Sequence, residues 1–170
     1  VFKQTVERLS HRHADLQFCI SQAPNLSDEI YQKYLGDCNI KVIKGENQAL
    51  LSVSDALILA SGTVALEACL YKTPMIIAYR GPKFFYWVYL LVRCIKRVSL
   101  PNIIADKSIV PEIIQDKVTP NNITYEIEEL LYNKERREEN IRQLGMVKEM
   151  LSDKNSALEV AKVIDRELFS

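Results

Sequence analysis

Ser61-Gly62-Thr63, with Glu67 four residues on, is the group in this sequence best equipped for chemistry. It lies between an apolar run, Ala56 to Ala60, and a helical stretch, Thr63 to Tyr71. A glycine in a turn from strand to helix lets the backbone come close to a ligand. The free amides and positive dipole end of the helix that follows favour phosphate oxygens. A diphosphate docks on such a turn without any lysine. Glu67 stands one turn into the helix, and because helical side chains lean toward the N-terminus its carboxylate returns to the same mouth. A carboxylate beside phosphate is repulsive unless it serves a neighbouring group. Two adjacent ribose hydroxyls fit, each donating one hydrogen bond to it. The pattern describes a nucleoside diphosphate held by backbone at one end and by its sugar at the other. The plainer alternative is that Ser61 and Thr63 cap a helix while Glu67 pairs with a surface cation.

The elements that must position this turn follow from the alternation of short apolar runs with amphipathic segments, the rhythm of βαβ units around a parallel sheet. Strands are predicted at Leu16 to Ile20, Ile40 to Ile43, Ala56 to Ala60 and Met75 to Tyr79, and helices at Phe2 to Ser10, Ser27 to Leu35, Glu46 to Val53 and Thr63 to Tyr71. The fold class is α/β, a Rossmann-like parallel sheet flanked by helices, in which ligands gather beyond the carboxyl ends of the strands. Phe84 to Ile95 has the length of a helix, but its aromatics surround it instead of forming a stripe. They suit either packing between domains or the headgroup region of a membrane. After Ser99-Leu100-Pro101-Asn102, read as a loop stiffened by Pro101, the chain is expected to be helical to its end, at Ile123 to Tyr132, Lys134 to Leu151 and Asn155 to Phe169. The charge-dense Glu135 to Arg142 reads as a solvated helix face.

Composition narrows the function. With 170 residues, 48% of them hydrophobic, the chain holds enough apolar material for one ordinary domain. Lysine plus arginine and aspartate plus glutamate balance at 22 each, so the broad positive field that a nucleic acid backbone requires is absent and nucleic acid is not expected as a partner. No apolar stretch approaches the roughly 20 residues of a membrane span, and no export signal is recognisable. Cys19, Cys38, Cys69 and Cys94 have no metal or redox spacing and read as free thiols. His11 and His13, two apart on a helix, point to different faces and read as exposed surface histidines, so no metal site is expected.

From about Asp55 through Asn102 the sequence resembles the lipid-A-disaccharide synthases, glycosyltransferases of the two-domain GT-B type. The matching pieces are SDALILASGTVALEACL, TPMIIAYR (Thr73 to Arg80), an aromatic helix and VSLPNIIA (Val98 to Ala105). The Ser-Gly-Thr turn with its glutamate is shared by many such transferases. Its combination with the Tyr-Arg and Ser-Leu-Pro-Asn segments is more specific. The resemblance implies an enzyme that joins UDP-2,3-diacylglucosamine to 2,3-diacylglucosamine 1-phosphate, making the β-1,6-linked lipid A disaccharide and releasing UDP, with no metal or other cofactor. It implies work at the cytoplasmic face of the bacterial inner membrane as a peripheral protein, and it allows a homodimer through exchange of C-terminal helices. On matching positions, Ser61, Gly62 and Thr63 hold the diphosphate, Glu67 the ribose, and Arg80 offsets charge on the departing UDP. Asn102 faces the cleft and contacts the donor. Rival readings are a surface ion pair for Arg80 and a loop-capping role for Asn102.

By the same resemblance, residues 1–122 are the donor-nucleotide domain without its first strand, and residues 123–170 are C-terminal helices packed on it or exchanged with a partner. The acceptor-binding domain and its general base lie outside this sequence. The fragment alone is expected to be inactive, and unstable because the strand it lacks is central. Two other functions compete. One is a different enzyme of the superfamily, such as a UDP-N-acetylglucosamine 2-epimerase or a peptidoglycan glycosyltransferase. The other is a non-catalytic nucleotide-binding or membrane-attached module.

Overall fold

The computed structural model describes residues 1–60, 62–81, 97–152, 161 and 164–165. Its elements run α1 (Phe2–Arg12), β1 (Cys19–Gln22), α2 (Asp28–Leu35), β2 (Lys41–Lys44), α3 (Asn47–Val53), β3 (Leu57–Leu59), α4 (Val64–Tyr71), β4 (Met75–Tyr79), α5 (Leu100–Ile104), β5 (Glu112–Ile114), a 3-10 turn (Gln115–Lys117), α6 (Pro120–Tyr132) and α7 (Lys134–Ser152). All strand pairing is parallel, in two pieces ordered β1-β2 and β3-β4-β5. This is the Rossmann-like α/β class the sequence indicates.

β4 organises the core. Its residues Met75, Ile76 and Ile77 are fully buried, as a strand covered on both faces must be. Side chains alternate along a strand, so Met75 and Ile77 join Ala65, Ala68 and Cys69 of α4, Leu51 of α3, and Leu144 and Val147 of α7. Ile76 and Ala78 join Leu9 of α1, Ile113 of β5, and Ile123, Ile127 and Leu130 of α6 on the other face. Each large aliphatic side chain fully withdrawn from water contributes about 1.5–3 kcal/mol, so this two-sided packing fixes where β4 ends and where its carboxyl end opens.

Two expectations need correction. The segment after Pro101 is not helical throughout, because Glu112–Ile114 pairs with Ile77–Tyr79 as β5. Three residues are too few to show a period of two. Leu100–Ile104 is a short helix and not a loop; Ser99 precedes it in extended conformation and Pro101 occupies its first turn, where a missing N–H costs nothing. β1 begins at Cys19, three residues later than its apolar run, although Phe18 already accepts a bond from the Lys41 amide at 2.8 Å. In the charge-dense run, Arg136 reaches Glu126 of α6 at 2.5 Å and Arg142 pairs with Glu139 at 2.6 Å, so these charges are largely matched locally. The aromatic stretch Phe84 to Ile95 lies outside the described residues, as does most of Asn155 to Phe169.

Candidate functional site

At the carboxyl end of β3 the chain turns through Gly62 and Thr63 into α4. Ser61, first residue of the predicted site, lies outside the described residues. Gly62 has φ +156°, backbone that side-chain-bearing residues rarely adopt, and among the described residues nothing lies within 4 Å of where its Cβ would stand. The glycine answers to backbone conformation and not to crowding, and the space over it is open. Within the first turn of α4, the amides of Leu66 and Glu67 bond the Thr63 carbonyl at 2.9 and 3.1 Å, and that of Ala65 bonds the Gly62 carbonyl at 3.3 Å. Among the described residues no acceptor meets the amides of Gly62, Thr63 and Val64. These are the unsatisfied donors that begin a helix.

Thr63 does not cap α4: it has helical backbone angles and makes no side-chain cap hydrogen bond. It is exposed, and so is Glu67 one turn later on the same helical face. Ala65, Ala68 and Cys69 hold the opposite face in the core. The Glu67 carboxylate has no hydrogen-bond or ion-pair partner among the described residues. Cys69 donates to the Ala65 carbonyl at 3.2 Å, and burial pushes its thiol up to about 12, which leaves it a packing residue.

Arg80 follows β4 at the same end of the sheet, exposed and unpaired among the described residues. Gly62 and Thr63 thus follow β3 and Arg80 follows β4, at the carboxyl ends of neighbouring parallel strands, with Glu67 one turn into α4. Asn102 is different. It is 1% exposed, its Nδ2 donates to the Val110 carbonyl and to Glu112 at 2.9 and 2.8 Å, and its Oδ1 accepts from the amides of Ile109 and Val110 at 2.8 and 2.9 Å. A carboxamide has two N–H groups and two lone-pair directions, and all four are used. Asn102 closes the loop from α5 to β5.

One residue that sequence reasoning passed over, Glu112, belongs to this framework. Glu112 accepts from the Ser99 amide at 2.8 Å, the Ser99 hydroxyl at 2.6 Å and Asn102, fixing the start of α5 to β5. Its only signal was an acidic residue inside a short apolar run. His13 is half-buried, not a plain surface histidine: its Nε2 stands 2.8 Å from Glu128 and its ring stacks on Tyr132 with centroids 4.6 Å apart. Cys19, Cys38 and Cys69 are free thiols. Among the described residues no cluster of histidine, cysteine or acidic residues could hold a metal, and no helix is long and apolar enough to cross a membrane.

Parallel strands in helical layers, with a glycine turn leading into a helix at their carboxyl ends, define a Rossmann-like module of the kind that binds nucleotides. Comparison with known proteins narrows this further. The sequence profile described as Lipid-A-disaccharide synthetase matches residues 1–164. A lipid-A-disaccharide synthase of Anaeromyxobacter sp. (strain K) is 33% identical over 164 residues, covering 95% of this chain and 43% of the relative. Those of Pseudomonas syringae pv. syringae and Dechloromonas aromatica are 40% and 37% identical, over 71% and 76% of this chain and 32% of each relative. The chain belongs to the lipid-A-disaccharide synthase family and spans less than half the length of these relatives.

Proposed function

We propose that the chain is the donor-nucleotide half of a glycosyltransferase that builds the lipid A disaccharide, binding UDP-2,3-diacylglucosamine at the turn before α4. The observation that carries the reading is that the amides of Gly62, Thr63 and Val64 and the carboxylate of Glu67 lie at one helix end without partners among the described residues. Free amides at a helix start suit phosphate oxygens and a carboxylate suits sugar hydroxyls, and a nucleoside diphosphate sugar supplies both kinds. The amides and the Ser61 and Thr63 hydroxyls take the diphosphate, and Glu67 takes the ribose hydroxyls.

In the transfer, the 6-hydroxyl oxygen of a diacylglucosamine 1-phosphate acceptor bonds to the donor's anomeric carbon while the bond from that carbon to the diphosphate oxygen breaks. The hydroxyl proton passes to a base outside this chain. UDP leaves carrying the extra negative charge, which helix-end amides and the Arg80 guanidinium stabilise where it develops. Acylated substrates place the enzyme at the cytoplasmic face of the inner membrane.

The test is titration of full-length protein with UDP together with turnover of isotope-labelled UDP-diacylglucosamine, wild type against Glu67→Ala. A loss of donor affinity of tenfold or more is expected. Unchanged affinity and turnover would remove Glu67 from the site.

A further inference from the structure

β4 changes character abruptly at its last residue: Met75 through Ala78 are at most 4% exposed, and Tyr79 is 42% exposed. Alternation places Tyr79 on the face of Met75 and Ile77, which pack with α4. Because Leu59 pairs with Ile77, Tyr79 stands two residues further along and level with the start of the turn that leads through Gly62 into α4. Its hydroxyl has no partner among the described residues. The ring's resting place depends on Gly81, where a Cβ would lie 3.1 Å from both the Tyr79 Cε1 and the phenolic oxygen and 3.4 Å from Cζ. At 3.1 Å a methyl would push the ring aside by a few tenths of an ångström, so the bare glycine at 81 lets the ring lie where it does.

A tyrosine so held offers apolar surface beside a phosphate-binding turn, the combination of a few polar groups with aromatic walls that ligand sites use. We propose that Tyr79 is a further binding residue of the nucleotide-sugar site, packing its ring against the ligand's sugar or base, with Gly81 as the residue that positions it. The inference rests on the donor-site reading above. The ring and not the hydroxyl carries the contact, so phenylalanine replaces tyrosine here and an aliphatic residue does not.

In the full-length protein, with UDP as the calorimetric probe, Tyr79→Leu and Gly81→Ala are each expected to weaken binding fivefold or more, and Tyr79→Phe to stay within twofold. With the UDP-diacylglucosamine donor, KM rises in the first two while kcat holds within threefold, a split that loss of folding alone does not produce. If Tyr79→Leu fails to fold, Gly81→Ala decides, since it retains the tyrosine and displaces only its ring. UDP affinity unchanged in Gly81→Ala or Tyr79→Leu, while Glu67→Ala weakens it, overturns the role of Tyr79 and leaves the donor site standing. Loss in Tyr79→Phe equal to that in Tyr79→Leu overturns the ring contact. Affinity unchanged in Glu67→Ala as well removes the donor-site reading itself.

Discussion

The side-chain amide of Asn102 donates to the Glu112 carboxylate at 2.8 Å, and with Ser99 bonded to the same carboxylate this pair ties α5 to the edge strand β5. Asn102→Ala leaves the amide and the carbonyl of Val110 without their partner, while the Ile109 amide keeps the Lys107 carbonyl at 3.0 Å. An unsatisfied buried group costs about 1–3 kcal/mol, so a loss of roughly 2–4 kcal/mol in stability is expected. Asn102→Asp should be worse at pH 8 than at pH 5. A carboxyl buried beside Glu112 is held protonated, its folded pKa above its unfolded one, so the stability it retains in acid is lost as pH rises. Thermal denaturation of the full-length variants at both pH values checks this. Unaltered melting together with a selective loss of donor affinity would make Asn102 a ligand contact instead.

The same loop shows what the sequence reveals and what it hides. β4 was legible to the residue because Met75 to Tyr79 is a continuous apolar run, the mark of a strand buried on both faces. The turn at Gly62 was legible because strand, glycine and helix follow one another without a gap. β5 was not, since it is a strand of only three residues that opens on the charged Glu112 and whose pairing with β4 arises only in the folded chain. The sequence reads Asn102 as a cleft-facing donor contact or a loop cap, and only the folded chain shows its amide bonded to Glu112 ten residues away. His13 likewise acquires its partner from Glu128, more than a hundred residues on, a relation no local pattern carries.

Gly62 separates backbone geometry from crowding. At φ +156° an alanine is strained whatever the space, at a cost of about 1–3 kcal/mol, although its Cβ meets no described atom within 4 Å. Gly62→Ala is expected to weaken UDP binding tenfold or more in the full-length protein, because relief of the strain moves the amides that lead into α4. Calorimetry with UDP reads the effect. Wild-type affinity would show that the turn does not hold the diphosphate.

Asp28 supplies a pH dependence. Its carboxylate accepts from Lys44 at 2.6 Å and from Gln22 at 2.9 Å, and these two bonds, that from Lys44 first, hold its pKa below the ordinary 3.8. A depressed folded pKa gives stability that is present above the unfolded value and is lost as pH falls through the folded one. The tie between α2 and the ends of β1 and β2 therefore weakens only below about pH 4. Lys44→Met should move the Asp28 carboxyl resonance upward in an NMR titration, toward the ordinary value. An unmoved titration would mean that the ion pair, exposed on both sides, contributes nothing in solution.

Gly145 offers a gain in stability. It is buried in the middle of α7, where glycine costs about 1 kcal/mol relative to alanine through the freedom the unfolded chain loses. A Cβ at this position would stand 3.6 and 3.8 Å from the Cε and Cδ of Lys72, ordinary contact with a flexible side chain. Lys72 itself caps α4 with left-handed backbone, φ 57°, and its own amide bonds the Cys69 carbonyl at 3.0 Å, so its stem can shift without disturbing the backbone. Gly145→Ala is expected to stabilise by about 0.5–1 kcal/mol, since the added methyl packs where α7 meets α4. Denaturant unfolding of the full-length protein measures it as a raised midpoint at unchanged slope. A lowered midpoint would show that Lys72 needs the bare glycine to cross α7.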